Sequence, residues 1–189
     1  MSFLLLMSFV AALSGVARWL LGRPPELRAA MRHGMVAGFF FTGIDHFVHD
    51  TTRYLPMMPP WFEPLSLELV WFTGAAELAG AIGLLLPPGF YRRLGLPDLR
   101  RAAGIGLALL LSLVVIANVH VALTGATVDG LPFGAWYYWL RPFLQPVIIA
   151  WALYAAGVIG TRGRVDAVGP RRATTALCKQ RPGTSTASR

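Results

Sequence analysis

Eight polar or ionisable residues stand inside long apolar stretches of this chain: Asp45, His46, His49, Glu77, Asn118, His120, Arg141 and Gln145. An ionisable side chain at the middle of a membrane helix costs roughly 2.5–3.5 kcal/mol. Residues kept at that cost face the interior of a bundle and are functional candidates by default. Their chemistry divides by type. Arg141 and Gln145 can donate hydrogen bonds to a carbonyl, and Glu77 or His46 can hold or pass a proton. Asp45, His46 and His49 have the spacing of metal ligands along one helical face. Three ligands do not complete a metal motif, and a second reading has Asp45 simply pairing with Arg141. Glu77 likewise has two readings, as a buried partner of Arg141 or as a group that binds or moves a proton. Asn118 and Gln145 are of the type that joins helices by hydrogen bonds.

No nucleophile–base pair, phosphate loop or dinucleotide fingerprint accompanies these residues. The chain therefore reads as at most a subunit of an enzyme. One cysteine, Cys178, excludes an internal disulfide or a CxxC redox pair.

The elements that must position the polar residues are helices in a membrane. Of the 189 residues 55% are hydrophobic and only 14% charged. Mean hydropathy is +0.55. A soluble domain carries about 25% charged residues. Four stretches are long and apolar enough to span: 30–49, 67–86, 102–123 and 136–160. Residues 1–22 add a fifth, N-terminal span, with a signal peptide as the alternative reading. Cleavage is opposed by an n-region without Lys or Arg. The expectation is an all-α integral membrane four-helix bundle with an extra N-terminal transmembrane helix and a basic, disordered tail over 161–189. The stripe Gly74, Ala75, Ala76, Ala79, Gly80 and Gly83 reads as a close-packing surface.

The net charge is +8. The cations lie between and after the apolar runs rather than on an aromatic-laced patch, which points to topology control and anionic lipid rather than nucleic acid. Segment 18–32 holds Arg18, Arg23, Arg28 and Arg32, segment 87–101 holds Arg92, Arg93, Arg100 and Arg101, and seven more follow Gly160. Fifteen of the seventeen cations thus fall on one side of an alternating chain, the cytoplasmic side by the positive-inside rule. The C-terminus is then cytoplasmic. Trp136, Tyr137, Tyr138 and Trp139 mark the outer interface.

In that orientation the polar groups share a depth. Asp45, His46 and His49 lie at the outer end of the first of the four spans. Glu77 lies about 15 Å into the second, at 1.5 Å per residue. Asn118 and His120 are in the outer half of the third, and Arg141 and Gln145 in the first turns of the fourth. Asn118 and His120 are about 200° apart on a helix, so only one faces the common centre. Asn118 is the expected one, with His120 turned to a neighbouring helix or subunit.

Five segments carry a resemblance to the DoxX-like family of small bacterial membrane proteins: TGIDHF (Thr42–Phe47), MMPPWF (Met57–Phe62), LVWFTGAAELAGAIGLLLP (Leu69–Pro87), ANVHVAL (Ala117–Leu123) and LRPFLQPVIIAW (Leu140–Trp151). They extend over about 30–160. The resemblance implies a four-helix bundle in the bacterial plasma membrane, working beside membrane redox proteins. It carries over His46, Glu77, Asn118, Arg141 and Gln145 as ligand-binding positions. His49 and the histidine at 120 depart from that pattern. The functional expectation is an accessory subunit of a membrane redox system that binds a quinone or another apolar small molecule in the outer half of the bundle. Its rival is a lipid-binding scaffold or assembly factor whose polar cluster is structural.

Overall fold

A computed structural model describes residues 2–126, 128–129 and 135–160. The expected tail over 161–189, with Cys178, lies outside the described residues. Those residues are helical, with no strand among them. In chain order the helices are α1 (Ser2–Leu20), α2 (Leu27–Val48), α3 (Ser66–Leu85), the short α4 (Pro88–Arg93), α5 (Arg100–Thr124) and α6 (Ala135–Ala155). A π-helical turn (Asp50–Tyr54) and two 3₁₀ turns (Leu55–Met57 and Pro60–Phe62) connect α2 to α3.

Glycine sets where two of these helices stop. Gly22 follows α1 at φ +64°, with Gly22 N–H bonded to the Trp19 carbonyl and Arg23 N–H to that of Arg18. Gly157 ends α6 in the same way at φ +76°, its N–H on the Tyr154 carbonyl and Val158 N–H on Leu153. A left-handed residue with this pair of bonds satisfies the last carbonyls of a helix. The fourth apolar stretch therefore leaves its helix at Ala155, five residues before the boundary read from hydropathy alone.

Helices α2, α3, α5 and α6 pack in a closed ring, each against the next, and α1 lies on the outside of α2. The close approaches use missing side chains. A Cβ on Gly74 would stand 2.6 Å from the Cβ of His46, and one on Gly43 would stand 2.8 Å from Leu78. Gly80 and Gly83 play the same part for α5, against Leu107 and Ala103. Ala75 and Ala79, expected on the same packing surface, face outward instead. The turn of 100° per residue carries them past the contact formed by Gly74, Gly80 and Gly83.

The ring's core contains Met35, Phe39, Leu84, Leu107 and Ala152, closed from the α1 side by Met7. Its outer surface is as apolar as its interior. Phe72 is 65% exposed, Leu113 66% and Phe143 75%. Among the described residues three helices are long and apolar enough to cross a membrane, over Phe3–Leu20, Ser66–Leu85 and Arg100–Thr124. At 22 and 21 residues α2 and α6 match them in length. They are also the helices that carry Asp45 and His46, and Arg141 and Gln145, which lower their hydropathy.

Candidate functional site

The polar residues on these helices point inward. Asp45, His46, Glu77, Asn118 and Gln145 are all buried, with Gln145 only 3% exposed. They sit toward the end of the ring where α2 and α5 finish and α3 and α6 begin. A cavity of about 190 Å³ opens among them, and its walls include His46, Glu77, Asn118, Arg141 and Gln145. Thr42, Thr73 and Tyr54 add hydroxyl groups, and the remaining surface is mostly aliphatic and aromatic. An apolar cavity of about 150 Å³ accommodates benzene, so the space suits one substituted ring.

Each polar wall has its own anchoring. On α2, His46 Nδ1 donates to the Thr42 carbonyl at 2.8 Å. That bond fixes the ring one helical turn above Thr42. The Thr42 hydroxyl lies 2.6 Å from Glu77 Oε2 and 3.2 Å from the Gly38 carbonyl. A hydroxyl has one proton, and the shorter contact directs it to the carboxylate. His46 Nδ1 is 3.7 Å from the same Glu77 oxygen. Glu77 is thus tied to α2, not to α6.

On the other side, Asn118 Nδ2 donates to Gln145 Oε1 at 2.9 Å, and Gln145 Nε2 donates to the Leu111 carbonyl at 2.7 Å. This chain joins α5 to α6. Among the described residues the Asn118 Oδ1 atom has no partner, nor has Arg141 Nη1, although both atoms are buried. The Arg141 guanidinium sits 5.9 Å from the centroid of the Tyr137 ring, one turn earlier on α6. Pro142 and Pro146 follow inside the same helix. They deprive the carbonyls of Tyr138 and Pro142 of their usual helical donors.

Asp45 serves a different purpose. Its carboxylate accepts from Arg53 Nη1, from the Tyr54 hydroxyl at 2.9 Å and from His49 Nδ1 at 2.7 Å. Arg53 also donates to the Asp129 carbonyl in the α5–α6 connection. Asp45 therefore holds the π-helical turn over the cavity instead of pairing with Arg141. Tyr54 lies flat on His46, with ring centroids 3.7 Å apart, and forms part of the cavity wall. Burial, and after it the charge of Asp45, pushes the Tyr54 hydroxyl above its ordinary range, so it remains a donor.

The metal reading of Asp45, His46 and His49 finds no support in this arrangement. Among the described residues no three His, Cys, Asp or Glu side chains are placed to hold an ion. The Asp45 oxygens are occupied by donors, and His46 turns its Nδ1 to its own helix. Asn118 faces the cavity, whereas His120 packs edge-on to Trp61 at 6.0 Å. Arg53 and Tyr54 could not be read as part of the site from sequence. Their link to Asp45 depends on the irregular turn, which no hydrophobic periodicity announces. Phe3 and Leu4 of α1 also reach the cavity wall, and nothing in their spacing marks them.

Fold and site together define a small all-helical protein with an apolar exterior and one polar cavity enclosed by a ring of four helices. The chain belongs to the family described as Domain of unknown function (DUF8561), whose model matches residues 35–156. The match takes in most of α2 and all of α3, α5 and α6, the helices that wall the cavity. No curated protein and no solved structure matches the chain.

Proposed function

We propose that this DUF8561 protein is a multi-pass membrane protein that binds a small, largely apolar molecule bearing a hydrogen-bond acceptor. A quinone-like compound fits that description. The observation that carries the reading is Arg141 in the cavity wall, its buried Nη1 without a partner among the described residues. A buried guanidinium without a counter-ion is expensive, and an acceptor on a bound molecule relieves that cost. Gln145 and Asn118 stand beside it as neutral hydrogen-bonding groups, while Glu77 and His46 offer a proton-exchanging pair across the space. In this reading α2, α3, α5 and α6 form a four-helix membrane bundle and α1 a fifth span. Apolar side chains meet the lipid, and the ionisable ones are turned away from it. The arginine-rich end faces the cytoplasm of a bacterium, and the cavity lies in the outer leaflet of the plasma membrane. The resemblance to DoxX-like proteins supports a place beside a membrane oxidoreductase, as an accessory subunit.

Titration of purified protein with menadione tests the binding. Saturable binding by wild type, weakened at least about tenfold in Arg141→Ala, is the expected result, the scale of one hydrogen bond to a charged group. No saturable binding, or equal binding by both proteins, overturns it. Orientation has a separate test. An impermeant maleimide should leave Cys178 unlabelled in intact cells and label it once the membrane is opened. Labelling of intact cells reverses the topology.

A scaffold reading is favoured by one feature, the Asn118–Gln145–Leu111 chain, which satisfies polar groups between helices without any ligand. It predicts that Gln145→Leu lowers stability and leaves menadione binding unchanged.

A further inference from the structure

The end of the ring opposite the cavity gathers arginines from two helices around helix C-termini. Arg32 Nε donates to the Ala155 carbonyl at 3.1 Å, Arg28 Nη2 to Ile159 at 3.2 Å, and Arg100 Nε to Leu86 at 2.8 Å. Each guanidinium gives some of its five donors to these carbonyls, which keeps the rest in fixed directions. Arg32 lies within electrostatic reach of both Arg28 and Arg100. Glu26 and Asp98 also act on Arg32, but they are two acids beside four arginines, Arg18, Arg28, Arg32 and Arg100. Glu26 is drawn to Arg18 at 3.3 Å, and Asp98 accepts from the Arg100 backbone N–H at 3.1 Å. Arg28 Nε is buried with no partner among the described residues.

A groove runs up from this cluster between α1 and α6. Ser8, Ala11, Ala12 and Gly15 form one wall, Trp151 the other, and Pro25, Glu26, Leu27, Ala30 and Met31 complete the lining, with Glu26 its one acid. The groove and the cations are joined by geometry. The Trp151 indole N–H bonds the Met31 carbonyl at 2.9 Å, and one helical turn away on both helices the Arg28 guanidinium stacks 4.9 Å from the Tyr154 ring centroid. A largely apolar trough, Glu26 excepted, thus lies one helical turn from arginines with donors to spare.

We propose that this is a binding site for one anionic phospholipid, its phosphate held by Arg28 and Arg32 and one acyl chain lying in the groove beside Trp151. Charge complementarity selects the headgroup, and the small side chains of α1 leave room for the chain. The site is separate from the cavity and needs only that the protein resides in a bilayer.

Trp151 supplies the readout. The full chain is reconstituted in phosphatidylcholine vesicles containing either phosphatidylglycerol or phosphatidylcholine with brominated acyl chains. Quenching assigned to Trp151 is the difference between wild type and Trp151→Phe. Brominated phosphatidylglycerol should quench in preference to brominated phosphatidylcholine. The preference should fall by about tenfold or more in Arg28→Gln/Arg32→Gln, the scale of two arginines acting on an anionic lipid. Ala12→Leu, at an exposed position on α1, should lose the preference with both arginines intact. Equal quenching by the two lipids in wild type overturns the proposal whether or not the variants fold. A preference that survives in Ala12→Leu removes the groove from it. If millimolar inorganic phosphate abolishes the preference, the site belongs to a soluble anion. A protein extracted from membranes by alkaline carbonate would instead remove the membrane reading itself.

Discussion

Glu77 and Arg141 line the same cavity from α3 and α6, yet no ion pair joins them. The carboxylate is held by Thr42 and faced by His46, and the guanidinium rests near Tyr137. Two ionisable groups that a bundle could have paired have separate partners in one cavity. That separation distinguishes a site from a structural salt bridge. Breaking a buried pair leaves an uncompensated charge and costs about 3–5 kcal/mol.

A double-mutant cycle with Glu77→Gln and Arg141→Gln should therefore show weak coupling, below about 0.5 kcal/mol, as for residues that do not touch. Denaturant unfolding in detergent micelles measures it. Coupling of 1 kcal/mol or more would mean that the two groups pair and that the cavity is a structural junction.

Asp45 ties the α2–α3 connection to the ring by accepting from Arg53, Tyr54 and His49. Asp45→Asn weakens three charge-assisted contacts at once and should cost about 2 kcal/mol. Tyr54→Phe removes one hydroxyl and should cost about 1 kcal/mol. Because Tyr54 also covers His46, menadione should enter and leave the Tyr54→Phe protein faster than wild type. Unchanged exchange kinetics would show that the turn does not cover the cavity.

Much of this was legible in the sequence, and the missing part has a physical cause. Helix positions followed from mostly apolar runs of about 20 residues, the length a helix needs to cross hydrocarbon. The convergence of His46, Glu77, Asn118, Arg141 and Gln145 followed from depth and face, two quantities fixed by helical geometry. Partner choice did not follow. Asp45 had Arg141 or a metal as alternatives, and two of its actual partners, Arg53 and Tyr54, are delivered by a π-helical turn that sequence periodicity does not encode. Arg141 has the opposite history: both acids proposed for it pair elsewhere, and only coordinates reveal that its Nη1 is unpartnered. The contribution of Phe3 and Leu4 was hidden for a third reason, since where α1 docks depends on Gly34 and Gly38 being bare enough to admit Met7.

In the α2–α3 connection, Asp50 accepts a hydrogen bond from the Trp71 indole at 2.9 Å. This bond, with the Thr51 backbone N–H, holds the carboxyl below its ordinary value. A depressed carboxyl contributes its interaction above the unfolded value and loses it as pH falls through the folded one. Trp71 emission should thus be constant above the ordinary carboxylate pKa of about 4 and change only below it. The change should vanish in Asp50→Asn. A transition near neutral pH would assign the signal to a different group.

Gly74 carries the last expectation. Alanine there would place a carbon 2.6 Å from the His46 Cβ, on the contact that sets both the α2–α3 spacing and the position of a cavity wall. Neither atom is the end of a flexible side chain, so the helices must separate. The expected cost of Gly74→Ala is about 1–3 kcal/mol, as for other overpacked contacts. His46 should move with its helix, and menadione affinity should fall in parallel. Ala75→Leu, one residue on and facing outward, should stay within about 0.5 kcal/mol of wild type. It adds more carbon than the first change, so added volume alone cannot explain the difference between the two. Equal stability of both variants, by thermal unfolding in the same detergent, would mean that α2 and α3 do not pack as closely as Gly43 and Gly74 allow.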